Sequence, residues 1–203
     1  MKNMLKDAAI LFAITLIAGA VLGFVYDVTK APIAEQEAKA KSEACREVFA
    51  DAAAFEALEG SEEEMTAVAA AGGYAKASIN EVLTASDASG ASLGYVITVT
   101  SHEGYGGDIR FSMGIRNDGT LNGISILSIS ETAGLGMRAE EVLKPQFANK
   151  NVAQFTYTKS GAVSDDQIDA ISSATITTSA VTNAVNAGLY YFQTELKGGS
   201  SNE

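Results

Sequence analysis

The sequence predicts an α+β fold, an antiparallel sheet packed with helices, preceded by one N-terminal transmembrane helix. Three patterns predict it: an uncharged apolar run over residues 8–26, a two-residue alternation over 109–116, and an apolar stripe at helical spacing over 181–196. The strand signals cluster between residues 79 and 130 and do not alternate with helices. This order favours an antiparallel meander over a doubly wound parallel sheet.

Composition and charge exclude several classes of function. The chain has 203 residues, 47% of them hydrophobic, which suits one globular domain with an appendage. The net charge of -11 argues against nucleic acid as a partner and against docking on anionic lipid through a basic patch. With 1 Cys and 1 His, the chain has no internal disulfide and no cysteine-rich metal or iron–sulfur site. Any redox chemistry must therefore come from an organic cofactor.

The segment from Ala8 to Tyr26 is uncharged and lies between Asp7 and Asp27. As a helix rising about 1.5 Å per residue, it is just long enough to cross a hydrocarbon core of about 30 Å. A positively charged start and the Ala-Gly-Ala triplet at 18–20 leave a cleaved signal peptide as the alternative. Because the apolar run continues well past that triplet, we predict a retained anchor. The flanking charges do not fix its orientation.

A second helix is predicted between the anchor and the sheet. Pro32 stands where a helix can begin, and residues 35–58 have helical periodicity. The apolar face of this helix consists of Cys45, Val48, Phe49, Ala52 and Phe55. The chain is thereby divided into an anchor over 1–26, a linker and helix over 27–59, a domain over 60–198 and a frayed tail over 199–203.

The predicted meander begins with strands at 79–85 and 94–101. The next strand, 109–116, alternates residue by residue, which predicts one buried face and one face in water. The Asp-Gly pair within 117–120 is typical of a tight hairpin turn. A partner strand follows over 121–130, with Gly123 as a bulge.

After the meander, the pattern predicts a helix at 138–147 and an edge strand at 152–158. The last helix carries an apolar stripe, and we expect it to cover the sheet. This stripe consists of Val181, Val185, Leu189, Phe192 and Leu196.

The segment 168–181 is crowded with small and hydroxyl residues directly before the last helix. A helix start offers unpaired N–H groups and the positive end of a dipole, which suit a phosphate. A Thr hydroxyl at such a place can be esterified to that phosphate. The alternative is an ordinary Ser/Thr-rich helix cap.

The run Asp-Ala-Ile-Ser-Ser-Ala-Thr at 169–175 resembles the flavinylation motif of the FMN-binding domain family. The resemblance implies that Thr175 carries FMN through a phosphoester, with Asp169 as the leading acid of the motif. Ser173 stands where the family has Gly, which raises the cost of an unusual backbone angle there. The implied cofactor-binding residues of this motif are Ser172, Ser173, Ala174 and Thr175, with Thr178 as a further phosphate contact.

A second motif, Ser130–Gly136, resembles the loop beside the flavin in the same family. Ser130 and Ala133 replace the His and the Pro of that loop. The resemblance implies that this loop borders the flavin through Glu131, Thr132, Gly134, Leu135 and Gly136. The stretch Gly104–Gly123 also resembles the central hairpin of the family.

Residues 25–37 resemble the segment after the anchor in one branch of the family, the G subunits of Rnf ion-translocating ferredoxin:NAD+ oxidoreductases. This branch implies an electron-transfer role without independent catalysis, in the inner membrane of a bacterium, with the soluble domain on the extracytoplasmic side. The implied partners are the other membrane and redox subunits, the lipid bilayer, and a flavin transferase that uses FAD. Two other functions compete with this one: a membrane-tethered binding or sensory domain without flavin, and a lone flavoprotein reductase.

Overall fold

The computed structural model of the protein describes residues 2–197, and the predicted frayed tail lies outside them. These residues form two compact units that divide after Ala40. The predicted α+β fold is confirmed. In chain order its elements are α1 (Lys2–Val48), β1 (Ala54–Ala57), α2 (Glu62–Ala71), β2 (Ala77–Ser86), β3 (Ser92–Ser101), β4 (Ile109–Arg116), β5 (Leu121–Ile129), α3 (Ala139–Val142), β6 (Thr156–Thr158), β7 (Gln167–Asp169) and α4 (Thr175–Tyr191).

Helix α1 is long and apolar enough to cross a membrane, and its apolar side chains are exposed along the predicted anchor. The predicted start of a new helix at Pro32 is wrong, because α1 runs through that residue without a break. A proline inside a helix removes one backbone hydrogen bond, and the rest of a long helix can continue past it. Helix α1 therefore has 47 residues.

Five strands form one antiparallel sheet in the order β1-β2-β3-β4-β5. The predicted hairpin between β4 and β5 is confirmed, and Gly119 has the positive φ, 91°, that its turn requires. The predicted bulge is confirmed as well. Gly114 pairs with Gly123 while the next residue of β4 pairs with Leu121, so β5 holds one extra residue.

The apolar face of β4 lies beneath α4. Its four alternating apolar residues have no exposed surface, and the predicted stripe of the last helix is buried against the same core. The helix approaches the sheet closely at Gly188, where a Cβ would lie 2.2 Å from Met113 Sδ. The last helical turns, Phe192–Leu196, widen into a π-helix.

The other face of β4 is also covered, so the prediction of a strand face in water is wrong for Ser112 and Gly114. The end of α1 packs there: a Cβ on Gly114 would lie 2.8 Å from Val48 Cβ. A second apolar cluster fills this side of the sheet. Its buried members are Cys45, Val48, Phe49, Leu83, Ala85 and Val96.

The predicted helix over 35–58 is wrong in its last turns, because α1 ends at Val48 and Phe55 lies in β1. The chain turns just after α1, where Ala52 N donates to Phe49 O. Strand β1 then pairs with β2, Phe55 opposite Ala85. This pairing satisfies the backbone of the sheet edge, which a longer helix would leave open.

Two predictions after the meander are correct only in part. The helix predicted at 138–147 is divided into α3 and the 3₁₀ turns Gly136–Arg138 and Lys144–Phe147. The strand predicted at 152–158 is shorter, and β6 pairs in parallel with β7 instead of extending the main sheet. The side chain of Asn186 on α4 explains the difference. Its amide forms hydrogen bonds with both Phe155 N and Phe155 O, which ties that backbone to α4.

The carboxylate of Asp118 stabilises the turn between β4 and β5. Asp118 Oδ1 accepts a hydrogen bond from Thr120 N at 2.8 Å. Hydrogen bonds from the backbone and side chain of Thr120 hold the pKa of Asp118 below its ordinary value of 3.8. The stabilisation is therefore present above that value and is lost as the pH falls through the lowered pKa.

We expect Asp118→Ala to lower the free energy of unfolding at neutral pH by about 0.5–1 kcal/mol, the value of an exposed hydrogen bond to a charged group. The deficit should shrink as the pH falls well below 3.8, where the wild-type carboxylate also becomes neutral. Thermal unfolding followed by circular dichroism over a pH series measures it. Asp118→Asn keeps an acceptor oxygen and serves as the control. A deficit of Asp118→Ala that stays constant with pH would contradict the electrostatic origin.

Candidate functional site

Three loop and helix segments enclose a cavity of about 530 Å³ at one end of α4. They are the loop between β3 and β4, the loop after β5, and the start of α4. This volume lies within the usual range of about 300–1,000 Å³ for small-molecule sites. The lining residues are Tyr105, Glu131, Thr132, Leu135, Gly136, Ser173, Ala174, Thr175, Ile176 and Thr177.

The amino end of α4 forms one wall of this cavity. Ala174 is the N-cap residue, and no side chain within residues 2–197 bonds the first N–H groups of the helix. Unpaired N–H groups and the helix dipole together favour an anion at this position. The wall is therefore suited to a phosphate group.

The sequence predicts two threonine hydroxyls at the phosphate in this helical turn, those of Thr175 and Thr178. Of these two, the hydroxyl of Thr175 is the accessible one. Thr175 is half-buried on the cavity wall, and its Oγ1 makes no hydrogen bond within residues 2–197. Thr178 is fully buried and does not line the cavity. Its Oγ1 donates to Ala174 O at 3.0 Å and accepts from Ile171 N at 3.1 Å. Thr178 thus fixes the turn that presents Thr175.

Ser173 has the unusual backbone angle that the sequence indicated, with φ at 63°. Among the described residues other than glycine, it shares a positive φ with Asn149. A left-handed conformation costs an L-residue about 1–2 kcal/mol. The chain accepts this cost directly before α4, where the backbone turns into the cavity wall.

We expect Ser173→Gly to raise the free energy of unfolding by up to about 1 kcal/mol. The substitution removes the energetic cost of the left-handed backbone angle. This gain is reduced by roughly 0.5–1 kcal/mol, because glycine gives the unfolded chain more conformational freedom. Ser172→Gly is the matched control, because Ser172 is equally exposed and has no positive φ. Chemical denaturation should give opposite signs for the two variants. If both variants lowered the free energy of unfolding by the same amount, backbone strain at Ser173 would be contradicted.

The loop after β5 forms the opposite wall. Gly134, with φ at 75°, allows a tight turn in which Leu135 N donates to Thr132 O. Gly136 then approaches α4 so closely that a Cβ there would lie 2.5 Å from Thr177 Oγ1. A side chain at Gly136 would therefore separate the two walls.

The remaining surface of the cavity is apolar. Tyr105, Leu135 and Ile176 line it, and each is substantially exposed. Apolar side chains that line a cavity together with several polar groups are typical of a site for a small organic ligand. The cavity thus combines an anion-binding end with apolar walls.

Comparisons with known proteins agree with this geometry. The FMN-binding domain family matches residues 104–190, and the family described as the RnfG N-terminal region matches residues 1–48. The G subunit of the Na+-translocating ferredoxin:NAD+ oxidoreductase complex of Acetobacterium woodii is 31% identical over 194 residues, which cover 95% of this chain and 93% of that protein. The chain belongs to the family of Rnf complex G subunits.

Two further proteins are similar to this member of the Rnf G family. The G subunit of an ion-translocating oxidoreductase complex of Methanosarcina acetivorans is 31% identical over 195 residues, covering 94% of this chain and 95% of that protein. The solved structure of the C subunit of the Na+-translocating NADH-quinone reductase of Parabacteroides distasonis is 19% identical, with a TM-score of 0.49 over 70% of this chain and 76% of that chain.

The structure of this Rnf G family member brings seven of the ten predicted site residues to the cavity. The other three do not line the cavity: Ser172 and Gly134 are exposed to solvent, and Thr178 is buried behind the cavity wall. Asp169 lies in β7, where its Oδ1 accepts a hydrogen bond from Ala162 N at 2.7 Å. Asp169 therefore holds a neighbouring loop and does not reach the cavity.

Sequence reasoning missed three lining residues: Tyr105, Ile176 and Thr177. Thr177 and Ile176 directly follow the motif that ends at Thr175, so their helical position was a usable signal. Tyr105 lies within a Gly-rich loop that carries only a weak signal by itself. Its proximity to α4 depends on contacts between distant parts of the chain.

Proposed function

We propose that this chain is an FMN-carrying electron-transfer subunit of an Rnf-type ion-translocating oxidoreductase complex, with the flavin linked covalently through Thr175. One observation carries the proposal. The free hydroxyl of Thr175 lies at the uncapped start of α4, in the wall of a cavity within the matched FMN-binding domain. The linkage is a phosphoester between Thr175 Oγ1 and the FMN phosphate.

The residues present fit an FMN group. The first N–H groups of α4 suit its phosphate, and the apolar walls of Tyr105, Leu135 and Ile176 suit a flat ring. When bound, the flavin supplies the exchange of electrons, and the protein supplies position and electrostatics. Glu131 contributes to the position by accepting a hydrogen bond from Gly106 N at 3.3 Å, which joins two of the cavity loops.

The attachment reaction requires a flavin transferase and FAD during maturation. Thr175 Oγ1 forms a bond to the phosphorus that carries the riboflavin moiety, and the bond of that phosphorus to the AMP portion breaks. AMP leaves, and the hydroxyl proton is released. The protein gains the mass of one FMN minus one water.

We also propose a membrane setting for the domain. The exposed apolar side chains of α1 support lipid as a partner, and family membership supports the other Rnf subunits as partners. We place the soluble domain on the extracytoplasmic side of the inner membrane of a bacterium. Protease digestion of spheroplasts compared with lysed cells tests this placement, because only an external domain is cut in both.

The decisive experiment is the intact mass of the full chain produced in a host with an active flavin transferase. A gain of one FMN minus one water, mapped to the peptide that contains Thr175, is the expected result. Flavin fluorescence in a denaturing gel gives independent evidence of covalent attachment. An unmodified mass beside a working control substrate would instead favour a membrane-tethered binding or sensory domain without flavin.

A further inference from the structure

We propose that Tyr105 is a positioning residue for the flavin, and that its phenol ring stacks on the isoalloxazine ring as one wall of the site. The inference rests on the proposed function. It adds a residue outside the 169–175 motif and the 130–136 loop.

The Tyr105 side chain is unusually exposed for its size. It is 71% exposed at the edge of the cavity and makes no ring contact or hydrogen bond within residues 2–197. Two other tyrosines differ, since Tyr74 pairs with the Tyr190 ring and Tyr95 pairs with the Phe192 ring. A large aromatic ring left without a partner at the edge of an apolar cavity is typical of a binding surface.

The loop that carries Tyr105 lies directly against the loop after β5. A Cβ on Gly106 would lie 2.1 Å from Ser130 O, and a Cβ on Gly104 would lie 2.1 Å from Gly107 O. Side chains are therefore excluded on both sides of Tyr105. Gly106 N also donates to Glu131 Oε1, which fixes the loop to the opposite wall.

Both ends of this loop are braced. His102 Nδ1 and Asp108 Oδ1 lie 3.0 Å apart across its base, and His102 Nε2 lies 2.9 Å from Ser78 Oγ on β2. Glu103 Oε2 accepts a hydrogen bond from Asn183 Nδ2 on α4 at 2.9 Å. The loop is thus connected to the sheet and to the helix that presents Thr175.

The apolar side chains of the facing walls are aliphatic. Leu135 is 38% exposed and Ile176 is 53% exposed, and both line the cavity with Tyr105. Aliphatic groups provide contact area for a flat ring, whereas an aromatic face also provides offset stacking. Tyr105 is therefore the residue of this cavity that can select for an aromatic ligand and fix the plane of its ring.

The fluorescence lifetime of the bound flavin tests the stacking directly. A phenol ring in contact with a photoexcited flavin quenches its fluorescence, because the phenol donates an electron that then returns. We expect a short lifetime in the wild-type full chain carrying covalent flavin, and a several-fold longer lifetime in Tyr105→Leu. Tyr105→Phe keeps the ring but is a poorer electron donor, so it should be intermediate. Tyr157→Leu, which removes an exposed tyrosine on β6 outside the cavity, should leave the lifetime unchanged.

Intact mass separates failure of this inference from failure of the proposed function, since each variant must first show the gain of one FMN minus one water. A Tyr105→Leu lifetime equal to that of the wild type would overturn the stacking. If no variant carries covalent flavin, free FMN is titrated into the unloaded chain. Quenching of added FMN by the wild type but not by Tyr105→Leu then supports the inference, and equal quenching overturns it.

Gly106→Ala provides a test that leaves the phenol in place. The added Cβ has no room beside Ser130 O, so the loop and its ring must shift. We expect a longer flavin lifetime in this variant with Tyr105 still present. Thermal unfolding checks that the domain remains folded, and an unchanged lifetime in a folded variant would contradict the positioning role.

Discussion

Thr175→Ala is expected to reduce covalent flavin from nearly complete loading to an undetectable level. The variant removes the one atom that the proposed phosphoester needs, Thr175 Oγ1, and leaves the cavity walls in place. The fold should survive, because the lost hydroxyl makes no hydrogen bond in the described part of the chain and alanine is a good helix former. Intact mass and in-gel fluorescence after expression with the transferase measure the effect.

Neighbouring hydroxyls provide matched controls for this result. Ser172→Ala removes an exposed hydroxyl that lies outside the cavity lining, three residues before Thr175, and it should keep the covalent flavin. Thr175→Ser retains an oxygen at the same position and should be loaded at least in part. Flavin that survives denaturation in Thr175→Ala, or that is lost in Ser172→Ala while the protein stays folded, would refute Thr175 as the attachment site.

The parts of the fold that the sequence predicts well are those whose signals are local. The alternation of β4, the Asp-Gly turn and the glycine bulge of β5 lie within a few residues of one another, and all appear in the sheet. The apolar stripe of α4 is likewise complete within one helix. Such elements carry their own periodicity, so tertiary contacts reinforce them.

The end of α1 and strand β1 could not be separated by sequence alone. Cys45, Val48 and Phe49 continue the helical period through Ala52 to Phe55, so the pattern extends the helix too far. The structure ends the helix because β2 presents an open edge to which residues 54–57 can pair. That edge is contributed by residues about 30 positions away, and no local pattern records it.

The candidate site shows the same division. The two motifs identify most of the lining, because each is continuous along the chain. Ser173 was singled out for its departure from glycine, and its φ of 63° explains why glycine suits that position. Tyr105 was not identified, since its place beside the start of α4 depends on the pairing of β3 with β4. Thr178 was expected at the phosphate, but its hydroxyl is used by the backbone of Ile171 and Ala174.

The second core beneath the sheet leads to a further prediction of large effect, in which Phe49→Ala destabilises the domain by about 3–5 kcal/mol. Phe49 is 1% exposed and packs with the cluster that covers the outer face of β4. Its ring also lies 5.7 Å from the guanidinium carbon of Arg116. A typical domain has only about 5–15 kcal/mol of stability, so this variant should unfold at much lower denaturant concentration.

Two other phenylalanines make the experiment decisive. Phe111 is fully buried on the opposite face of the sheet, and Phe111→Ala should cost a similar amount, about 3–5 kcal/mol. Phe12 is 67% exposed in the anchor, so Phe12→Ala should leave domain unfolding unchanged. Denaturation of the full chain in detergent, followed by circular dichroism, compares all three. If residues 41–49 were only a linker, Phe49→Ala would behave like Phe12→Ala. Behaviour like Phe111→Ala would make the segment at the end of α1 part of the core that supports the candidate site.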